Sequence, residues 1–334
     1  MAKEKAHTIR DLAAASGLSI GAVSYALRDH PSVSEKTRKR VRELADELGY
    51  KPDPRLASLM AQIRRSQSPR AKEVIAWVWC CSEQASKADF SQLVYRGALQ
   101  RAEQLGCSLE SFWLTPNKMS PKRLQKILHT RGISGVLFAP EVERHKMSLD
   151  WDWSRFACAI VGMAEWEPAL HRAGHDYYRS LWRCMNRMSE DGVRRPLFVV
   201  NRGMDERLHF LLTAGFSKLH PTPALAEKSI LYCDGPLKTQ LDEGTVLEQP
   251  DAILTTLRVN QDFVAWRQKA FPNVERTYTL HWDEDSLAPG ICTCYDKIAG
   301  AGVDLVLAQL HRNERGTPET PTVVMLEGEW REAT

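Results

Sequence analysis

Three short apolar-periodic segments, each opened by its own cap, are crowded between Thr8 and Gly49. Thr8-Ile-Arg-Asp11 has the form of a capping box, with a hydroxyl at the N-cap and a carboxylate three residues on. The helix it opens carries Ile9, Leu12 and Ala13 on one face, and Gly17 stops it. Ser19 caps a second helix with Val23, Ala26 and Leu27 inward, at i, i+3 and i+4. After the loop from Arg28 to Val33, Ser34 caps a third helix reaching about Leu48. Its inward positions are Val41, Leu44, Ala45 and Leu48, and Gly49 is its stop. Segments this short do not hold themselves helical in water. They must pack on one another, and two short helices joined by a tight turn and braced by a third form a helix-turn-helix unit.

Charge separates this head from the rest of the chain. Residues 1–72 contain 15 Lys/Arg and 8 Asp/Glu, a net charge of +7, whereas the whole chain carries only +3. A basic head on a slightly acidic body points to a polyanionic partner that meets the head alone. The inward residues leave Ser19, Ile20, Gly21, Ser24, Tyr25 and Arg28 facing out on the second helix. Hydroxyls beside exposed apolar groups suit the edges of base pairs in a groove. Lys36, Lys39, Arg40 and Arg42 are placed for phosphates, which position a protein without specifying sequence. A generic three-helix bundle with a solvated basic face would give the same pattern.

Asp53 and Pro54 then open a further helical stretch with Leu56, Leu59, Met60 and Ile63 in one stripe, followed by a polar linker from Arg64 to Arg70. About ten residues of helix are marginal alone, so this one needs a partner surface. From residue 73 the pattern changes to short buried runs alternating with helices. "VIAWVW", "SLESFWL", "GVLFAP" and "FACAIVGM" read as strands, with "FSQLVYRGALQRAEQLG" and the Ser120-capped "SPKRLQKILHTRG" as helices between them. A second round follows: "DYYRSLWRCMNRMSEDG" and "ERLHFLLTAGFSKL" as helices, "RPLFVVN", "SILYC", "AILTT" and "RTYTLHW" as strands, then a long helix from Tyr295 and a single last strand in "PTVVMLEGEW". Such alternation implies parallel sheets covered by helices on both faces.

Several function classes find no support. There is no G-x-S-x-G, H-E-x-x-H, P-loop or G-x-G-x-x-G motif, so no enzyme is expected. Of the eight cysteines, Cys80-Cys81 and Cys292-Thr-Cys294 are too close for ordinary bridges, and no C-x-x-C pair or zinc-type spacing appears; this suits reduced, partly buried thiols, and neither a metal nor any other cofactor is expected. Asp283-Glu284-Asp285 reads as a solvated loop. No apolar run is long enough to span a membrane, and residues 1–11 lack a secretory h-region, so no membrane contact and a cytoplasmic location are expected.

The stretch "TIRDLAAASGLSIGAVSYALRDHPSVSEKTRKRVRELADELGYKPD" resembles the DNA-binding headpiece of the lactose/galactose/purine repressor family, without a gap over about fifty residues. The shared features are the G-[VL]-S-x-x-[TA]-V-S core, the V-S-x-x-T-R-x-x-V third helix and the G-Y-x-P exit. The resemblance implies that the second helix is a recognition helix and that Thr8, Ser19, Ile20, Gly21, Ser24, Tyr25, Arg28, Lys36 and Lys39 meet DNA. It further implies a hinge helix at 53–72 whose Leu56 and Leu59 face the minor groove, Leu59 as the wedge. Family members often carry Arg where this chain has Tyr25 and a polar side chain where it has Gly21, so no family base preference transfers.

The body is similar, more loosely, to the family's sugar-binding, periplasmic-protein-like effector domain, and the C-terminal R-N-E-x-G-x-P-x-x-P…E-G-x-W resembles the family's tail. The fold class expected is therefore α plus α/β. A three-helix headpiece (1–52) and hinge helix (53–72) precede a two-lobed α/β domain (73–334), with one lobe at about 73–162 plus 291–314 and the other at about 163–290 plus 315–334. Ligands in such sheets sit at the carboxyl ends of the strands. That places Ser82, Phe90, Asp176, Arg207 and the stretch His281, Trp282 and Asp283 near the cleft, Arg207 by resemblance to a family effector ligand. Arg and Asp suit a polyhydroxyl molecule, and Trp offers an apolar ring to a sugar face. A transcriptional repressor is expected: a homodimer on a palindromic double-stranded DNA operator, controlled by a small sugar-like effector. The alternative is a free-standing small-molecule binding protein whose DNA binding is secondary.

Overall fold

The computed structural model describes residues 9–27, 33–48, 50, 73–114, 119–141, 146–234 and 249–333. The chain forms two compact units, Met1–Lys72 with Ala308–Glu314 and Glu73–Leu307 with Arg315–Thr334. In the small unit, α1 (Ile9–Ser16), α2 (Ile20–Leu27) and α3 (Glu35–Glu47) follow one another as the caps require. Ser19 Oγ accepts from the Ala22 N–H at 3.1 Å and Ser34 Oγ from the Thr37 N–H at 3.3 Å, so each hydroxyl satisfies an orphan donor. Gly17, at φ +69, takes the left-handed turn that ends α1. Leu12, Ala13, Val23, Ala26, Val41 and Ala45 make the core, with Ile9, Leu18, Leu27, Leu44 and Leu48 packed around it. Thr8, Arg28, Leu56, Leu59 and the expected hinge helix lie outside the described residues.

The large unit holds two six-stranded sheets. The first contains β1 (Val74–Trp79), β2 (Ser108–Trp113), β3 (Gly135–Phe138), β5 (Ala157–Val161), β7 (His171–His175) and β13 (Val323–Leu326), in the order β13-β7-β5-β3-β1-β2. All its neighbours pair in parallel. Its helices are the short α4 (Glu83–Ser86), α5 (Asp89–Gln104) and α6 (Pro121–Thr130). A side sheet pairs β4 (Lys146–Ser148) with β6 (Glu165–Glu167). The second large sheet contains β8 (Pro196–Asn201), β9 (Ile230–Cys233), β10 (Ala252–Thr255), β11 (Arg276–Thr279), β12 (Gly290–Cys292) and β14 (Glu329–Arg331), in the order β14-β12-β11-β10-β8-β9. Only β14 runs antiparallel to its neighbour there. Its helices are α7 (Tyr177–Glu190), α8 (Arg202–Arg207), α9 (Leu211–Leu219) and α10 (Gln261–Ala270), and α11 (Tyr295–Arg312) follows β12.

Each sheet is buried on both faces, which is why its strands read as unbroken apolar runs. Ala76, Val78, Val136, Phe138 and Ile160 pack with Leu124 and Leu128 of α6. On the opposite face, Trp77 stands edge-on to Tyr95 of α5 at 5.7 Å. A Cβ at Gly302 of α11 would sit 3.0 Å from Leu137 and 3.1 Å from Val161. Phe198, Val200 and Leu254 pack under α7 and α9, and Leu197, Val199 and Ile253 face Phe263 of α10. No helix among the described residues is long and apolar enough to cross a membrane.

Three expectations need correction. The lobes do not divide at 162, because β7 still belongs to the first sheet, and they do not divide at 314, because β13 returns to it. The stretch "PTVVMLEGEW" is not one strand. Its first half pairs with β7 and its second with β12, with only Glu327 and Gly328 between them. The helix expected over "ERLHFLLTAGFSKL" breaks at His209 and Phe210, both left-handed at φ 53° and 60°. The fully buried Asp205 carboxylate holds that break: it accepts from the Leu212 N–H at 3.1 Å and the Thr213 hydroxyl at 2.7 Å, and so caps α9.

Gly97 of α5 lies against the start of α11 so closely that a Cβ would run into the Asp296 carbonyl oxygen. Because the obstacle is backbone, Gly97→Ala must push the two helices apart. It is expected to destabilise the large unit by about 1–3 kcal/mol, measured as a lower denaturant midpoint by tryptophan fluorescence.

Candidate functional site

The small unit presents one face of α2 outward. Val23 and Ala26 are fully buried, while Ser19, Gly21, Ile20 (46% exposed) and Tyr25 (46% exposed) are open, and Ser24 is half-buried beside them. Ile20 and Tyr25 thus leave close to half of their surface open on this short helix, an apolar face at the surface of the unit. Lys36 and Lys39 are exposed on α3. Arg40, expected at phosphates, donates to the Ser16 carbonyl at 3.3 Å and so satisfies an orphan acceptor at the end of α1.

In the large unit the chain passes between the sheets at three places: β7 to α7, β12 to α11, and β13 to β14. A cluster of side chains gathers there from both lobes. Tyr295, the first residue of α11, stands edge-on to Phe90 of α5 with ring centroids 4.8 Å apart. Tyr177, the first residue of α7, and Thr293 lie beside its hydroxyl. His281, after β11, lies 6.4 Å from the Tyr295 ring. Burial raises both phenols above the ordinary range and lowers His281, so all three are uncharged at neutral pH. The Arg207 guanidinium opposes that rise at both tyrosines, which places a positive charge facing the hydroxyl pair. Among the described residues no carboxylate pairs with Arg207. The arrangement offers hydroxyls, one cation and aromatic faces, which can hold a polar, ring-shaped molecule.

The small unit matches the model of bacterial regulatory proteins of the lacI family over residues 8–53. A curated relative, the HTH-type transcriptional regulator DegA of Bacillus subtilis (strain 168), is 27% identical over 141 residues. That match covers 41% of this chain and 37% of the relative, so it spans little more than a third of the relative's length. Solved structures share the fold: a CelR transcriptional regulator in complex with cellobiose (TM-score 0.53, 16% identity, 98% and 99% of the two chains), and the lac repressor dimer bound to operator and the anti-inducer ONPF (0.52, 14%, 98% and 98%). A lacI-family regulator from Rhizobium etli has a TM-score of 0.56 at 13% identity, over 79% of this chain and 99% of its own. The chain thus has a lacI-type helix-turn-helix headpiece and a two-lobed, periplasmic-binding-protein-like α/β body.

Of the lacI-type cleft residues expected from sequence, the structure brings Phe90, Arg207 and His281 to the Tyr177–Tyr295 pair. The others are held in local structure. Ser82 Oγ caps α4 by accepting from the Ala85 N–H at 3.1 Å. Asp176 caps α7, accepting from the Arg179 N–H at 2.9 Å. Asp283 pairs with Arg258 at 2.7 Å. The Trp282 indole donates to the Glu332 carbonyl at 2.9 Å. Thr293 and Tyr295 were missed because β12, the three-residue strand that delivers them, leaves no periodic trace in the sequence.

Beside this cluster, His175 is almost fully buried, with Nε2 2.9 Å from Ser180 Oγ and its ring edge-on to Tyr177 at 4.7 Å. Burial lowers its pKa to about 4, against the opposing pull of Asp176. Its folded value lies below the unfolded one, so its neutral form stabilises the body above about pH 6.5. That contribution is lost as pH falls towards 4, by about 3 kcal/mol in all. His175→Gln is expected to flatten the decline in urea midpoint of the large unit between pH 6.5 and 4 relative to the unaltered protein.

Proposed function

We propose that the protein is a sequence-specific transcription regulator, acting as a repressor. Two copies bind a roughly palindromic operator, with α2 of each in successive major grooves. The observation that carries this reading is the outward face of α2, where Ser19, Ile20, Gly21 and Tyr25 stand exposed beside the basic start of α3. Lys36 and Lys39 contribute charge at phosphates, and Ser24, Thr8 and Arg28 complete the contact surface. Tyr25 cannot make the bidentate guanine contact of an Arg; with Ile20 it suits thymine methyl groups. Leu56 and Leu59 enter the minor groove between the half-sites.

The body binds a small, sugar-like effector at the Phe90, Tyr177, Arg207 and Tyr295 cluster. The effector shifts the lobes and so changes affinity for DNA, a coupling between two distinct sites. The cellobiose held by the CelR relative supports a carbohydrate of this size, and the aromatic faces with hydroxyl and guanidinium donors suit its ring and its hydroxyls.

Selection of random duplex DNA with the purified protein at two salt concentrations tests the reading. Enrichment of a palindrome with a flexible centre is expected, and absence of DNA binding would overturn it. On the selected site, Lys36→Gln and Lys39→Gln are each expected to lower the slope of log affinity against log salt by about one, with base preference unchanged. Tyr25→Ala is expected to relax preference at one base position of each half-site. Arg207→Ala is expected to weaken binding of an identified effector about 10–100-fold by calorimetry while DNA affinity without effector is retained.

A further inference from the structure

The passage from β12 to α11 contains two thiols, Cys292 and Cys294, whose Sγ atoms lie 3.6 Å apart. Both are half-buried, in contrast with the buried Cys80, Cys107, Cys158, Cys184 and Cys233. Cys294 adopts a left-handed backbone at φ 52°, unusual for a residue with a Cβ, and this turn brings its side chain back over Cys292. Its thiol also faces the Cys292 carbonyl at 3.6 Å. A disulfide needs the sulfurs at about 2.05 Å, so side-chain rotation with a small backbone adjustment would close the gap.

The surroundings give this pair its leverage. Cys292 pairs with Glu329 of β14, and Glu329 is bound to Lys297 in the first turn of α11. One residue before it, Gly328 is packed so tightly that a Cβ would run into the Ile291 side chain and lie 3.0 Å from both the Cys292 carbonyl and His175 Cε1. The three passages between the lobes therefore touch within one residue of the thiols.

We infer that Cys292 and Cys294 form a redox modification site that closes to a disulfide under a peroxide oxidant and changes the setting of the two lobes. The Cys292 thiolate attacks one oxygen of hydrogen peroxide; an S–O bond forms, the O–O bond breaks, and the departing hydroxide takes up a proton as water. The Cys294 sulfur then attacks Cys292; the S–S bond forms, the S–O bond breaks, and the hydroxide leaves with the Cys294 proton as a second water. Two thiols lose two electrons and one peroxide gains them. Burial, with Cys292 and Glu329 beside it, raises the Cys294 thiol above its ordinary range. The effect on DNA rests on the function proposed above; the chemistry and the lobe movement do not.

The full-length protein, treated with hydrogen peroxide and digested without reduction, is expected to yield the peptide carrying both residues with two hydrogens lost, restored by dithiothreitol. Cys292→Ser and Cys294→Ser are each expected to abolish the change, and Cys81→Ser to leave it intact. Hydrogen exchange at residues 175–177, 291–295 and 326–329 is expected to differ between the reduced and oxidised forms, and affinity for the selected operator to change at least about fivefold, the lower end of allosteric couplings. Over-oxidation of Cys292 to the sulfinic acid without a disulfide would overturn the inference, as would a disulfide that alters neither exchange nor affinity. If neither form binds DNA, the proposed regulator fails while the mass and exchange results still judge the thiol pair.

Discussion

The last two strands of the chain, Val323–Leu326 and Glu329–Arg331, lie in different sheets and are separated by Glu327 and Gly328 alone. With so little chain to spare, the ends of β13 and β14 are pinned within about 10 Å of each other, and the lobes can be no farther apart at that point than this short connection reaches. Gly328 makes this possible. Its missing Cβ leaves room for Ile291, the Cys292 carbonyl and the His175 ring, so the other two passages pack against the third. Arg183 donates to the Gly328 carbonyl at 2.6 Å and satisfies an acceptor that no strand reaches. The ion pairs of Glu327 with Arg179 and Arg183, at 3.3 and 3.9 Å and half exposed, add little in comparison. What sets the relation of the lobes is close backbone packing, and each lobe keeps its own core.

This constraint explains where the body's chemistry gathers. Side chains at the three passages come from both lobes, so Tyr177, Arg207 and His281 of one meet Phe90 of the other through Tyr295. In the proposed reading, a molecule bound there would touch groups from both lobes and so favour one setting of the lobes over another. The headpiece follows another economy. Alanines at 13, 26 and 45 let three short helices approach closely enough to shield Leu12, Val23 and Val41 completely, while Ile20 and Tyr25 on the outer face of α2 stay exposed.

The headpiece was legible because its signals are local. Ser19, Ser34 and Gly17 act on backbone within a few residues, and each is found in the role its spacing assigns. Most of the strands and helices of the body were legible for a similar reason, since burial on both faces writes itself as a continuous apolar run. The failures share a cause. The Gly290–Cys292 strand is too short to have a period, the break at His209–Phe210 depends on the Asp205 carboxylate buried beneath it, and "PTVVMLEGEW" divides between two sheets that a linear pattern treats as one.

The sequence by itself determined the helix-turn-helix head, its charge, the alternating α/β body and the lacI resemblance, because caps, periods and charge act over one or two turns of chain. It also singled out Phe90 and Arg207, which the fold brings to the Tyr177–Tyr295 pair. Only the tertiary structure decided which candidates are available to a ligand and which are already engaged. Ser82 and Asp176 cap helices, Asp283 is tied to Arg258 and Trp282 to the Glu332 carbonyl. It likewise decided that Tyr177 meets Tyr295 and that Cys292 meets Cys294 in the passage between lobes. Those contacts depend on which strands neighbour one another and on where the chain crosses between sheets, and strand order is fixed by packing over hundreds of residues.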